Sequence, residues 1–135
     1  MPIQYRSDAL LRALADLHKQ SAGLRGAALI TRDGLVIAAY PPGWDANIHD
    51  PTGGEHVAAM AAVVAGEAER ILTRLDQGEL QQVLMEGERG TIAVLRVTAE
   101  AALALLLARD AKAGLILSAA RQAAGGMRAI LNPAK

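Results

Sequence analysis

The stretch Gly26-Ala-Ala-Leu-Ile-Thr-Arg-Asp33-Gly34-Leu-Val-Ile-Ala-Ala39 places two β-rich runs on either side of an Asp-Gly pair. Asp-Gly between apolar runs is the strongest short hairpin signal, because the tight turn needs positive φ, which glycine adopts without a Cβ clash. The pattern recurs further along. Gln82 to Leu84 and Thr91 to Val97 are strand-like and flank Gly87-Glu-Arg-Gly90, which reads as a second hairpin turn. Thr98 to Ala101 is a third turn, leading into Ala102 to Ala108. Alanine and leucine favour helix. A short apolar run bounded by turn signals nevertheless suits a buried central strand, and that is the expectation here.

Helical periodicity fills the remaining segments. Ser7-Asp8 can cap a helix running to about Gln20, with Leu10, Leu14 and Leu17 as its stripe. Gly23 is placed to end it. Tyr40 to Gly54 is punctuated by Pro41, Pro42, Gly43, Pro51, Gly53 and Gly54, so it is a loop. Glu55 to about Asp76 is the longest helical pattern. Val57, Ala61, Val64, Ala68, Ile71 and Leu75 form the stripe expected to meet a sheet. Ala58, Ala62, Ala65 and Gly66 lie on an adjoining face of small residues, so burial on two sides is expected. From Lys112, Ile116, Ala120, Ala123, Met127 and Ile130 mark a last helix ending before Asn132-Pro133, with Gly125-Gly126 expected to loosen its final turns.

The order is α-β-β-α-β-β-β-α. Hairpins and one helical crossover connect the strands, so the economical fold is α/β (α+β): a five-stranded antiparallel sheet with helices on both faces, residues 1–135 forming a single domain.

Composition narrows the function. Fourteen basic residues balance fourteen acidic ones, with no Lys/Arg cluster and three aromatics (Tyr5, Tyr40, Trp44), so nucleic acid is not an expected partner. The chain has no cysteine, which fits a reducing, cytoplasmic compartment. Its N-terminus reads neither as a signal peptide nor as a span, and no membrane insertion is expected. Apolar residues reach 52% without any Phe, which raises the prior for an oligomer.

Chemistry-bearing motifs are scarce. His18, His49 and His56 lack ligand spacing; His49-Asp50 with Glu55-His56 is the one conceivable metal cluster, and solvated side chains are the expectation. Ser7, Ser21 and Ser118 sit on no strand-to-helix elbow. Gly53-Gly54-Glu55 opens a helix but lacks the Lys and Ser/Thr of a phosphate loop, and Gly87-x-x-Gly90 is a turn. Glu67/Glu69 and Glu86/Glu88 are too poorly juxtaposed to act as acid/base pairs. No catalytic residue, metal or cofactor is therefore expected.

The strings GAALITRDGLVIAAYP, EHVAAMAAVVAGEAERI and LQQVLMEGERGTIAVLRV resemble the Roadblock (dynein light-chain) domain family, with the closest likeness to its bacterial MglB-type branch. The likeness runs from about Leu10 to Leu131, although little chain follows Leu131. It implies a profilin-like fold, homodimers or heterodimers built on the central helix and neighbouring edge strand, and binding to small Ras-like GTPases, often as regulators of hydrolysis.

The expected function is a non-catalytic, dimeric interaction module. Its homodimer interface is expected at Val57, Ala58, Ala61, Ala62, Ala65, Gly66, Val83, Leu84 and Met85, with Glu67, Arg70 and Arg74 left to touch a GTPase. Arg32 and Arg89 flank tight turns, where surface charges are ordinary, so neither is expected to act as an arginine finger. The competing expectation is a ligand-binding or enzymatic domain in which the Tyr40–Gly54 loop, carrying Trp44, closes over an apolar pocket.

Overall fold

A computed structural model describes the backbone of residues 3–133 and the side chains of residues 6–133. Eight elements follow one another: α1 (Ile3–Lys19), β1 (Leu24–Thr31), β2 (Val36–Tyr40), α2 (Gly54–Arg74), β3 (Gln82–Gly87), β4 (Gly90–Arg96), β5 (Ala101–Ala108) and α3 (Ala113–Leu131). The strands form one antiparallel sheet in the order β2-β1-β5-β4-β3. The expected fold class and element order are both present. The Asp33-Gly34 turn closes the first hairpin with Gly34 at φ +86°.

Strand β5 shows why an Ala/Leu run becomes a strand. It lies between β1 and β4 and is covered on both faces, so its period of two appears in side-chain size and not in polarity. Leu103, Leu105 and Leu107 join the core cluster that α1 and α3 cover with Leu14, Leu17, Ile116 and Met127. Ala102 and Ala104 point the other way, into the smaller cluster beneath α2. Burying a leucine side chain contributes about 1.5–3 kcal/mol, so the first cluster supplies most of the hydrophobic stabilisation.

The α2 face is built from small residues. Ala39, Ala28, Ala104, Val94 and Val83 stand side by side across the five strands. Onto this row α2 lowers Val57, Ala58, Ala61 and Ala65, all buried. This corrects the expected division of the helix. Ala58 and Ala65 do not form a spare face; with Val57 and Ala61 they form the sheet-facing one. Ile71 and Leu75, expected in the core, are 54% and 63% exposed. Alanine on alanine lets backbone approach backbone, so the small stripe docks and the bulky one turns outward.

One boundary also differs from expectation, the start of α1, while α3 ends where expected. Ser7 and Asp8 lie inside α1, because nothing between Ile3 and Arg6 breaks a helix. Helix α3 runs unbroken through Gly125 and Gly126 to Leu131. Ala124 and Met127 hold this end in the core, and the Arg128 guanidinium donates to the Val97 carbonyl at 2.6 Å. A Cβ at Gly125 or Gly126 would meet nothing within 4 Å. Gly125→Ala and Gly126→Ala should therefore each stabilise the fold by about 0.5–1 kcal/mol, by removing backbone freedom from the unfolded chain. Thermal unfolding of the double variant checks this, and a lowered Tm would contradict it.

Candidate functional site

The outward side of α2 carries Met60 (56% exposed), Val63 (58%) and Ile71, and Met85 (53%) stands exposed on β3. Met85 pairs with Ile92, Ile92 with Leu106, and Leu106 with Gly26, so these residues form a second row on the α2 side of the sheet. Leu106 and Ile92 are half-buried, and exposure increases toward the β3 edge. Of the residues expected at a dimer interface, Val57, Ala58, Ala61 and Ala65 are buried in the chain's own core. Ala62 is half-buried beside the first hairpin, whose Gly34 lies against Ala59 and Ala62. Gly66 is exposed. Val83 is half-buried on the α2 side, Met85 is exposed on that side, and Leu84, opposite Ala93, points to the other face.

The two sheet edges differ. Strand β2 is bulged: Ala38 pairs with Leu29 and Val36 with Ile30, which leaves Ile37 unpaired. Bulges and short edge strands deter further pairing. Strand β3 keeps regular register with β4 over all six residues and is exposed at every position except Val83.

The 41–53 loop is fastened down. The Trp44 indole N–H donates to the Thr52 carbonyl at 2.9 Å. Its ring covers Gly26 so closely that a Cβ there would lie 2.5 Å from the indole, and it also covers Gly54. The Asp50 carboxylate accepts from the Thr52 N–H at 2.9 Å and from its hydroxyl at 2.8 Å. These two bonds hold the Asp50 carboxyl below its usual range, with Arg25 and His56 adding charge attraction. The tie is thus present at neutral pH and weakens only as pH falls through the carboxylate range. The ring of His56 donates to the Ile48 carbonyl at 2.6 Å, so His56 serves as a loop anchor. His18 stacks edge-on to Tyr40, with ring centres 5.2 Å apart. Among the described residues no three His, Asp or Glu side chains converge as a metal site.

Charge concentrates at the other end of α2. Glu69 binds Arg32 at 3.0 Å and also Arg96, while Arg32 donates to the Ala99 carbonyl at 2.7 Å. Burial, then the Arg32 charge, push the Arg96 guanidinium below its ordinary pKa, and Glu100 opposes them. Glu69 is thereby committed internally. Glu67 and Arg70 pair with each other at 2.5 Å, and Arg74 is exposed in the last turn. Arg89 is exposed in the β3–β4 turn. Beside the Arg32–Glu69–Arg96 group opens a hollow of about 410 Å³ whose lining includes Thr73, Asp76, Glu79 and Leu80. Asp76 takes φ +55° to close α2, with its N–H donating to Thr73 and that of Gln77 to Leu72. Nothing in the sequence signalled this group, since its members come from three distant segments.

Two outcomes test these assignments. Gly26→Ala should dislodge the indole at a cost of about 1–3 kcal/mol. Because Trp44 is the single tryptophan, its fluorescence should shift to the red, and unchanged emission would contradict the packing. Glu69→Gln strips the shared anion from two arginines and should cost about 1–3 kcal/mol. Glu67→Gln, in an exposed pair, should stay within about 0.5 kcal/mol of the parent in urea titration.

The Roadblock/LC7 domain model matches residues 10–107. A Roadblock/LC7 domain from Streptomyces avermitilis superposes with TM-score 0.78 at 23% identity, over 90% of this chain and 96% of that one. The gliding protein MglB of Thermus thermophilus gives TM-score 0.79 at 22% identity, over 93% and 90%. MglC of Myxococcus xanthus gives 0.65 at 20% identity, over 90% and 98%. No curated protein sequence matches. With its family model spanning most of the sheet and all of α2, this chain belongs to the Roadblock/LC7 domain family.

Proposed function

We propose that this chain is a non-catalytic cytoplasmic module that pairs with a second copy and regulates or holds a small Ras-like GTPase. The observation that carries the pairing is the outward display of Met60, Val63 and Ile71 on α2 beside the regular, unbulged edge of β3. A second β3 added there would satisfy the free backbone groups of the edge, and a second α2 would cover the apolar side chains. The interface so proposed keeps the expected helix and strand. On the helix it uses the opposite face, while Met85 and the backbone of Val83 and Leu84 stay within it. One solved MglB has a tetrameric arrangement, which agrees with self-association in related proteins.

Ras-like GTPases are the partner class that the family resemblance implies, and the likeness to MglB supports it. The paired helices, with Glu67, Arg70 and Arg74 at their exposed ends, are the face proposed for that partner. Arg32 is tied to Glu69 and to the Ala99 carbonyl, which disfavours it as a donated finger. An effect on hydrolysis would then come from repositioning the GTPase's own residues. No helix among the described residues is long and apolar enough to cross a bilayer. A ligand pocket under the 41–53 loop is disfavoured, because Trp44 fills the space the loop covers.

Ile71→Glu puts a charge on the outer face without touching the core, so light scattering should show a folded monomer where the parent is a dimer. A parent that is monomeric at micromolar concentration overturns the pairing. On a dimer that co-purifies a small GTPase, Arg70→Glu with Arg74→Glu should slow association and make it strongly salt-dependent. Unchanged affinity there would move the GTPase to another face.

A further inference from the structure

The hollow beside the end of α2 has no part in the pairing or docking proposed above. At about 410 Å³ it falls within the roughly 300–1,000 Å³ typical of small-ligand sites. Leu80, buried, and Ala99 give it an apolar portion, and Thr73 adds a hydroxyl-bearing side chain. Its charges are unevenly matched. Arg32, after the end of β1, and Arg96, at the end of β4, share the one carboxylate of Glu69. Among the described residues Asp76 and Glu79, from the connection between α2 and β3, form no ion pair with either arginine. The Arg96 side chain is only 18% exposed, so its charge is poorly screened, and burial lowers its pKa further.

The lining therefore offers positive charge from the strand ends and negative charge from the helix end. A bare anion would face Asp76 and Glu79. A bare cation would face two guanidiniums. A molecule bearing both signs is matched at each end, and of the five N–H donors of each guanidinium, those not taken by Glu69 or, for Arg32, by the Ala99 carbonyl remain to hold a carboxylate. We infer that this hollow binds a small zwitterion of the α-amino acid class, its carboxylate on Arg32 and Arg96 beside Glu69, its ammonium toward Asp76 and Glu79.

Isothermal titration of the intact chain tests this, with the common α-amino acids offered singly and with acetate and methylamine as single-charge controls. At least one amino acid should bind with Kd on the order of 1 mM or tighter, and neither control should. Arg32→Gln should weaken binding about tenfold or more. Glu79→Gln, at an exposed position, should weaken it several-fold while leaving the Tm unchanged. Heat from no amino acid would overturn the inference, as would acetate binding equally well. Affinity indifferent to both substitutions would overturn it too, by placing the ligand elsewhere.

Discussion

Alanine packed on alanine beneath α2 is the contact on which the rest of this molecule depends. A row running Ala39, Ala28, Ala104 across the middle of the sheet receives Ala58, Ala61 and Ala65 of the helix. Side chains this small contribute little burial each, but they bring the helix close to the strands. The larger apolar residues of α2 then have no room inward and stand on the surface. The first hairpin turn rests against Ala59 and Ala62 for the same reason: Gly34 has no Cβ to hold it off. Below the helix, Gly26 makes the corresponding gap for an indole, whose insertion helps to position the 41–53 loop.

The two layers divide the labour. Leucines facing α1 and α3 supply the hydrophobic stabilisation, so the other face can be arranged for approach and contact. That arrangement leaves unsatisfied apolar surface and one regular strand edge next to each other. Monomeric proteins seldom leave such surface uncovered. Near the C-terminal end of α2, Glu69 binds Arg96 of β4 and Arg32 after β1, and so ties helix, β1 and β4 together.

The sheet was legible in the sequence because its signals are local. Asp33-Gly34 and Gly87 to Gly90 each fix a hairpin within a few residues, and β5 is bounded by turns. The face of α2 was not legible, since nearly every position from Val57 to Gly66 is apolar and periodicity cannot choose among them. The choice is made by the size of the opposing residues, Ala28 and Ala104, which lie far away in sequence. The Ala/Leu alternation of Ala102 to Leu105 holds that information: small residues on one face of a central strand specify where a small-faced helix sits. The Arg32–Glu69–Arg96 group was invisible for a related reason, each residue reading as an ordinary surface charge until the fold gathers them. Trp44 entered the sequence reading as part of a loop closing over a pocket, and only the space above Gly26 shows that it anchors the loop.

Amide hydrogen exchange along the two edge strands tests most directly whether the surface left by α2 is a pairing surface. In a self-paired protein the outward amides of β3 are protected, and protection grows as protein concentration rises from nanomolar to micromolar, while those of the bulged β2 exchange rapidly throughout. Equal and concentration-independent exchange at both edges would contradict the account.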